Sequence, residues 1–270
     1  MTDVTMTTLQ TVFEKARSER RAALVGYLPA GFPSKEGAVA AATAMVEGGC
    51  DVIEIGLPYS DPLMDGPVIQ DAVHRALTNG TRIADVLRTV EGVAATGAAT
   101  LVMTYWNPVD RYGTERFARE LAAAGGVGTI TPDLTPEEAG PWLEASAAAG
   151  LDTVFLVAPS STDARIEKVV RCCTGFVYAA SLMGVTGARE TVSAAAEGLV
   201  KRTREHTDVP VCVGLGVSTG AQAAEVAAYA DGVIVGSAFV RPLLDAPDEA
   251  SGIAAVRRLA EELAAGVRRG

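Results

Sequence analysis

The sequence predicts an α/β fold, a single (β/α)8 barrel of the TIM-barrel type, and three observations lead there. Eight short runs rich in Val, Ile and Leu recur along the chain, each followed by a segment of helical period. The runs are continuously apolar instead of alternating, as parallel strands are when both faces are covered. The chain has 270 residues, 49% of them hydrophobic, which suffices for one large core. No linker or low-complexity stretch divides it, so residues 1–270 are expected to form one domain.

The expected strands are 22–28 (AALVGYL), 51–56 (DVIEIG), 99–105 (ATLVMTY), 127–131 (VGTIT), 152–158 (DTVFLVA), 175–181 (GFVYAAS), 209–215 (VPVCVGL) and 231–236 (DGVIVG). Helices are expected in the Ala- and Glu-rich segments between them, among them KEGAVAAATAMVEGG, PEEAGPWLEASAAAG, TVSAAAEGLVKRTREH and GAQAAEVAAYA, several closed by Gly. An N-terminal helix and short extra helices at the catalytic face, such as that opened by SAFV, complete the architecture. A doubly wound sheet needs fewer strands and usually a Gly-rich phosphate loop after the first. The segment PAGFPSK found there lacks the G-x-G-x-x-G spacing.

The formal net charge of -10 is spread over helical segments, and no basic stripe appears, which disfavours nucleic acid as a partner. Cys50, Cys172, Cys173 and Cys212 form no C-x-x-C pair and suit reduced thiols. With no N-terminal signal pattern and no apolar run of membrane-spanning length, the cytoplasm is the expected compartment. His74 and His206 belong to no ligand-spaced cluster, so no metal site is expected, and the absence of Lys inside the strands argues against a Schiff base. Acid–base chemistry is what remains.

On a barrel of this type the chemistry sits at the C-terminal ends of the strands. The stretch DVIEIGLPYSDPLMDGP, residues 51–67, carries four carboxylates and no Lys or Arg. Glu54 lies inside the apolar run, where an unpaired carboxylate is too costly to be incidental, and burial should raise its pKa towards the range useful for proton transfer. Asp61 and Asp65 precede Pro and Gly, which is ordinary turn chemistry. Asp65 gains interest because it shares the strand-end loop with Glu54.

Gly216, in GLGVSTGAQ, and Gly236 with Ser237, in IVGSAFV, follow the seventh and eighth expected strands. Unobstructed backbone N–H groups and a helix N-terminus there suit a phosphate. The loop SLMGVTGARET after the sixth expected strand is long enough either to be a plain connection or to act as a lid.

Together IEIGLPYSDPLMDGP, MTYWNP (103–108), TPDLTPEEA (131–139), SLMGVTGAR (181–189), VGLGVST (213–219) and DGVIVGSAFV (231–240) resemble, in order, the α chain of tryptophan synthase. The resemblance implies a (β/α)8 barrel that cleaves indole-3-glycerol phosphate to indole and glyceraldehyde 3-phosphate with no cofactor of its own. It also implies a partner β chain carrying pyridoxal phosphate, an αββα assembly, and indole passed between the two sites.

By position, the resemblance puts the catalytic pair on Glu54 and Asp65 and a substrate-contacting tyrosine on Tyr178. It puts the lid residues on Thr186 and Gly187, the phosphate contacts on Gly216, Gly236 and Ser237, and the indole pocket on Tyr27, Tyr105, Ile130 and Val157. The sequence departs from the family pattern at Tyr27 and Leu215, where Phe is common, at Pro29, where Thr is common, and at Leu182, often Arg. On the residues alone, another phosphosugar-barrel lyase or isomerase and a non-catalytic allosteric subunit stay open.

Overall fold

The computed structural model describes residues 8–181, 189–214 and 216–268. All its strands are parallel and form one sheet: β1 (Ala23–Pro29), β2 (Val52–Gly56), β3 (Ala99–Met103), β4 (Gly128–Ile130), β5 (Asp152–Val154), β6 (Leu156–Val157), β7 (Val177–Ala180), β8 (Val211–Gly214) and β9 (Gly232–Val235). The order runs β5-β4-β3-β2-β1-β9-β8-β7-β6. Its two ends, β5 and β6, are halves of the single strand expected at 152–158, interrupted at Phe155. Val154 O accepts from Thr131 N on one side and Phe155 O from Tyr178 N on the other, so the ladder passes around the barrel through this residue. Eight expected strands thus appear as nine segments.

The helices alternate with them: α1 (Leu9–Ser18), α2 (Lys35–Glu47), α3 (Pro67–Thr78), α4 (Ile83–Ala94), α5 (Trp106–Tyr112), α6 (Thr114–Ala123), α7 (Gly140–Ala149), α8 (Asp163–Val170), α9 (Arg189–Arg204), α10 (Gly220–Ala227), α11 (Ser237–Asp245) and α12 (Glu249–Val267). Of these, four are additions to a plain alternation: α1, which precedes β1, and α3, α5 and α11, each of which follows the C-terminal end of a strand. The segment PEEA enters α7 as a turn, because Pro141 suits a first helical turn and α7 begins at Gly140.

Alternation along the strands sorts the core into two layers. Val25, Val52, Leu101, Ile130, Val154, Cys212 and Ile234 pack inside the barrel. Leu24, Ile53, Ile55, Val102, Val213 and Val233 pack outward with helix residues such as Met45, Val90, Phe117 and Phe239. Both layers are apolar, which is why the strands read as unbroken hydrophobic runs.

α1 closes the N-terminal end of the barrel. Thr8 caps it by accepting from Thr11 N, and Leu9, Val12, Phe13 and Ala16 on one face join the inner layer. The Phe13 ring meets Phe176 edge-on, with centroids 5.9 Å apart. Beside it the buried Arg21 guanidinium reaches Asp51, and Asp51 Oδ2 accepts from Leu24 N at 2.9 Å, tying β1 to the start of β2. Because α1 plugs the end away from the candidate site, Phe13→Ala is expected to cost about 3–5 kcal/mol of stability. Urea denaturation should register that loss, with substrate affinity unchanged below the transition.

Candidate active site

β2 carries Glu54 to the upper inner layer, one step above Val52, in register with Tyr27 on β1 and Leu101 on β3. Glu54 is 3% exposed, and its Oε2 has no hydrogen-bond partner among the described residues. Burial, with a smaller contribution from the Asp65 charge, pushes it up to about 8. Glu54 is therefore mostly a neutral acid at pH 7.

Asp65 stands in the loop between β2 and α3, half-buried. The Tyr105 hydroxyl donates to its Oδ1 at 3.3 Å and accepts from Met64 N at 2.9 Å. Burial raises the Asp65 carboxyl, and the Tyr105 bond works against that rise. Asp61, by contrast, is exposed and takes the Ser60 hydroxyl at 2.6 Å, as a turn-former does. Of the two aspartates, only Asp65 faces the tyrosines.

Tyr27 and Tyr178 flank Glu54 from opposite sides of the barrel interior. A Cβ on Gly56 would sit 2.3 Å from the Tyr27 hydroxyl, and one on Gly214 would sit 2.4 Å from that of Tyr178. Only glycine leaves room for these rings. Burial, reinforced by the carboxylate charges, drives both phenols well above their ordinary range, so they stay protonated and can donate hydrogen bonds but not act as bases.

Ile130 faces the inner layer at the top of β4. Val157 does not: it packs in the outer layer, and the preceding residue, Leu156, in register with Tyr178, meets the inner one. The two-residue alternation from Val154 requires this, which puts Leu156 on the inner face of that strand.

Gly216 is exposed and adopts φ +71°, a conformation that favours glycine. On the adjacent strand, Gly236 is the N-cap of α11 and provides no side-chain cap, and Ser237 is exposed at the first helical position. The first N–H groups of α11 are thus unclaimed by any cap, beside Tyr27 at the barrel mouth. Thr186 and Gly187, and also Leu182 and Leu215, lie outside the described residues.

One contributor, Asp133, escapes a reading of the sequence, and one expected pocket residue, Tyr105, has a second role. Asp133, just past β4, accepts from Trp106 N through both carboxylate oxygens, at 2.8 and 3.1 Å. Tyr105 holds the Asp65 loop as well as standing by the mouth, which sequence spacing does not reveal. Among the described residues no group of three or more His, Cys, Asp or Glu is arranged to hold a metal ion.

A buried neutral acid beneath a tethered carboxylate, facing an uncapped helix N-terminus, is the geometry on which known proteins can be compared. The tryptophan synthase alpha chain family model matches residues 13–268. The chain belongs to the tryptophan synthase alpha chain family. It is 61% identical to the alpha chain of Thermobifida fusca, over 97% of this chain and 98% of that one. It is 64% identical to that of Salinispora arenicola, with the same coverage. A solved Mycobacterium tuberculosis tryptophan synthase chain superposes with a TM-score of 0.90 at 55% identity, over 97% of this chain and 98% of that one.

As a tryptophan synthase alpha chain, the protein is a lyase that cleaves indole-3-glycerol phosphate to indole and glyceraldehyde 3-phosphate. The family needs no cofactor for this step, and pyridoxal phosphate belongs to the partner β chain. No helix among the described residues is long and apolar enough to cross a membrane.

Proposed function

We propose that Glu54 is the general acid of the cleavage and Asp65 the carboxylate that stabilises the charge it creates. The observation that carries the reading is the buried Glu54, raised to about 8, whose Oε2 has no hydrogen-bond partner among the described residues, with Asp65 held by Tyr105 beside it. Breaking the bond from indole C3 to the glycerol chain would expel an indolyl carbanion, so C3 must first gain a proton. Glu54, neutral at pH 7, supplies it.

Protonation places positive charge on the ring nitrogen, and Asp65 accepts from that N–H as the charge develops. The electron pair of the breaking carbon–carbon bond then returns to the ring, and the substrate hydroxyl loses its proton as the aldehyde forms. Deprotonated Glu54 takes that proton and is reset. Tyr27, Tyr105, Ile130 and Leu156 wall the indole. Tyr178 donates a hydrogen bond to the substrate, while Gly216, Gly236 and Ser237 hold its phosphate.

Incubating the protein with indole-3-glycerol phosphate, with and without a β chain, tests the reading through indole and aldehyde release. No release in either case would remove it.

The partner surface follows from exposure. Leu63 is 77% and Met64 49% exposed, and both adjoin Asp65 on the loop held by Tyr105. We infer that the β chain covers them in an α2β2 complex, in the cytoplasm, with residues 1–270 acting as one barrel domain. Leu63→Asp is expected to weaken β-chain affinity by about 10–30-fold. Titration calorimetry should show the loss, and the isolated chain should cleave substrate at its normal rate.

A further inference from the structure

We propose that Asp133 is a positioning residue for the cleavage: it fixes the start of α5 so that the Tyr105 phenol holds the Asp65 carboxylate at the barrel mouth. The inference rests on the roles of Glu54 and Asp65 proposed above.

α5 has only seven residues and no side-chain cap of its own. A helix so short cannot fix its own position, and its first N–H groups need acceptors from elsewhere. Asp133 supplies one from β4: both carboxylate oxygens take Trp106 N, the first N–H of α5. Burial raises the Asp133 carboxyl, and the Trp106 N–H works against that rise by favouring the charged form. A carboxylate at a helix N-terminus also meets the positive end of the helix dipole.

The residue before Trp106 is Tyr105, so whatever sets the start of α5 sets the base of the Tyr105 side chain. Trp106 is constrained from the outer side as well, its ring 6.0 Å from that of the fully buried Trp142. The ring contact fixes depth, and the Asp133 bonds fix the angle at which the chain leaves β3. Tyr105 then spans to the Asp65 loop, with Met64 N at 2.9 Å and Asp65 Oδ1 at 3.3 Å. The second bond is already long, so a small shift of Tyr105 breaks it first. Asp133 bonds to Trp106, not to Asp65 or Glu54, and so acts through Tyr105.

The test is a mutant cycle on indole-3-glycerol phosphate cleavage using Asp133→Ala, Asp133→Asn, Tyr105→Phe and the Asp133→Ala/Tyr105→Phe double variant. Asp133→Ala should lower kcat about 10–100-fold with KM little changed, the scale expected for a displacement near 1 Å. Asp133→Asn, whose amide oxygen still accepts from Trp106 N, should recover most of that loss. In the Tyr105→Phe background Asp133→Ala should cost nothing further.

The acid limb of the kcat/KM profile should move to higher pH in Asp133→Ala and Tyr105→Phe alike, because both remove a bond that favours ionised Asp65. Additive losses, an unmoved acid limb, or an Asn variant as slow as Ala would each overturn the proposal. If Asp133→Ala does not fold, Asp133→Glu, which displaces the acceptor by one methylene, enters the same cycle with the same criteria. Asp65→Asn at full rate would instead overturn the site assignment itself. A wild-type kcat for Asp133→Ala, with Asp65→Asn impaired, would overturn the positioning role alone.

Discussion

Glu54→Gln is expected to lower indole release about 10²–10⁴-fold, the usual contribution of a positioned acid or base. The amide has the shape of the neutral acid but no proton to give to indole C3. Stability should move the other way. Burial holds the folded-state pKa of Glu54 near 8, above the 4.5 of an ordinary glutamate. The folded state therefore binds the extra proton, and the group's contribution to stability is fully present below about pH 4.5 and lost as pH rises towards 8.

Gln carries no charge to bury, so the variant should match wild type near pH 4 and exceed it above pH 8, by an amount on the order of a few kcal/mol. Rate assays and urea denaturation at the two pH values check both halves. A slow enzyme that is also destabilised at pH 8.5 would indicate damage to the fold instead of loss of an acid.

Gly236→Asp is expected to raise KM for indole-3-glycerol phosphate at least about 100-fold, because a carboxylate would stand beside the α11 N–H groups that the phosphate needs. A Cβ at Gly236 would make ordinary van der Waals contacts, with Ile69 Cδ1 at 3.6 Å and Tyr27 Cδ1 at 3.7 Å, and no clash. The penalty is thus chiefly electrostatic and the barrel should still fold. Free indole carries no phosphate, so its affinity should fall far less than that of the substrate. Thermal shift with inorganic phosphate separates the two: protection seen in wild type should vanish in the variant, and unaltered protection would place the phosphate elsewhere.

The barrel was legible because its strands are buried on both faces, which makes each of them an unbroken apolar run. The break at Phe155 was not, since closing a barrel lets one strand split its hydrogen bonds between two neighbours without any change in composition. The same alternation explains Leu156 and Val157: a resemblance fixes a strand, but a slip of one residue exchanges inner and outer faces.

Glu54 stood out as an acid in an apolar run with no local base. Asp65 was ambiguous until Tyr105, forty positions later, was seen to hold it. Asp133 was hidden for a related reason, as its partner is a backbone N–H that leaves no mark on sequence.

The pH dependence of kcat/KM for indole release by the isolated chain tests the central claim most directly. If Glu54 must be protonated to deliver a proton to C3, the profile should fall on the basic side with an apparent pKa near 8. The residual activity of Glu54→Gln should show no such limb. A wild-type profile that stays level from pH 7 to pH 9.5 would contradict the claim.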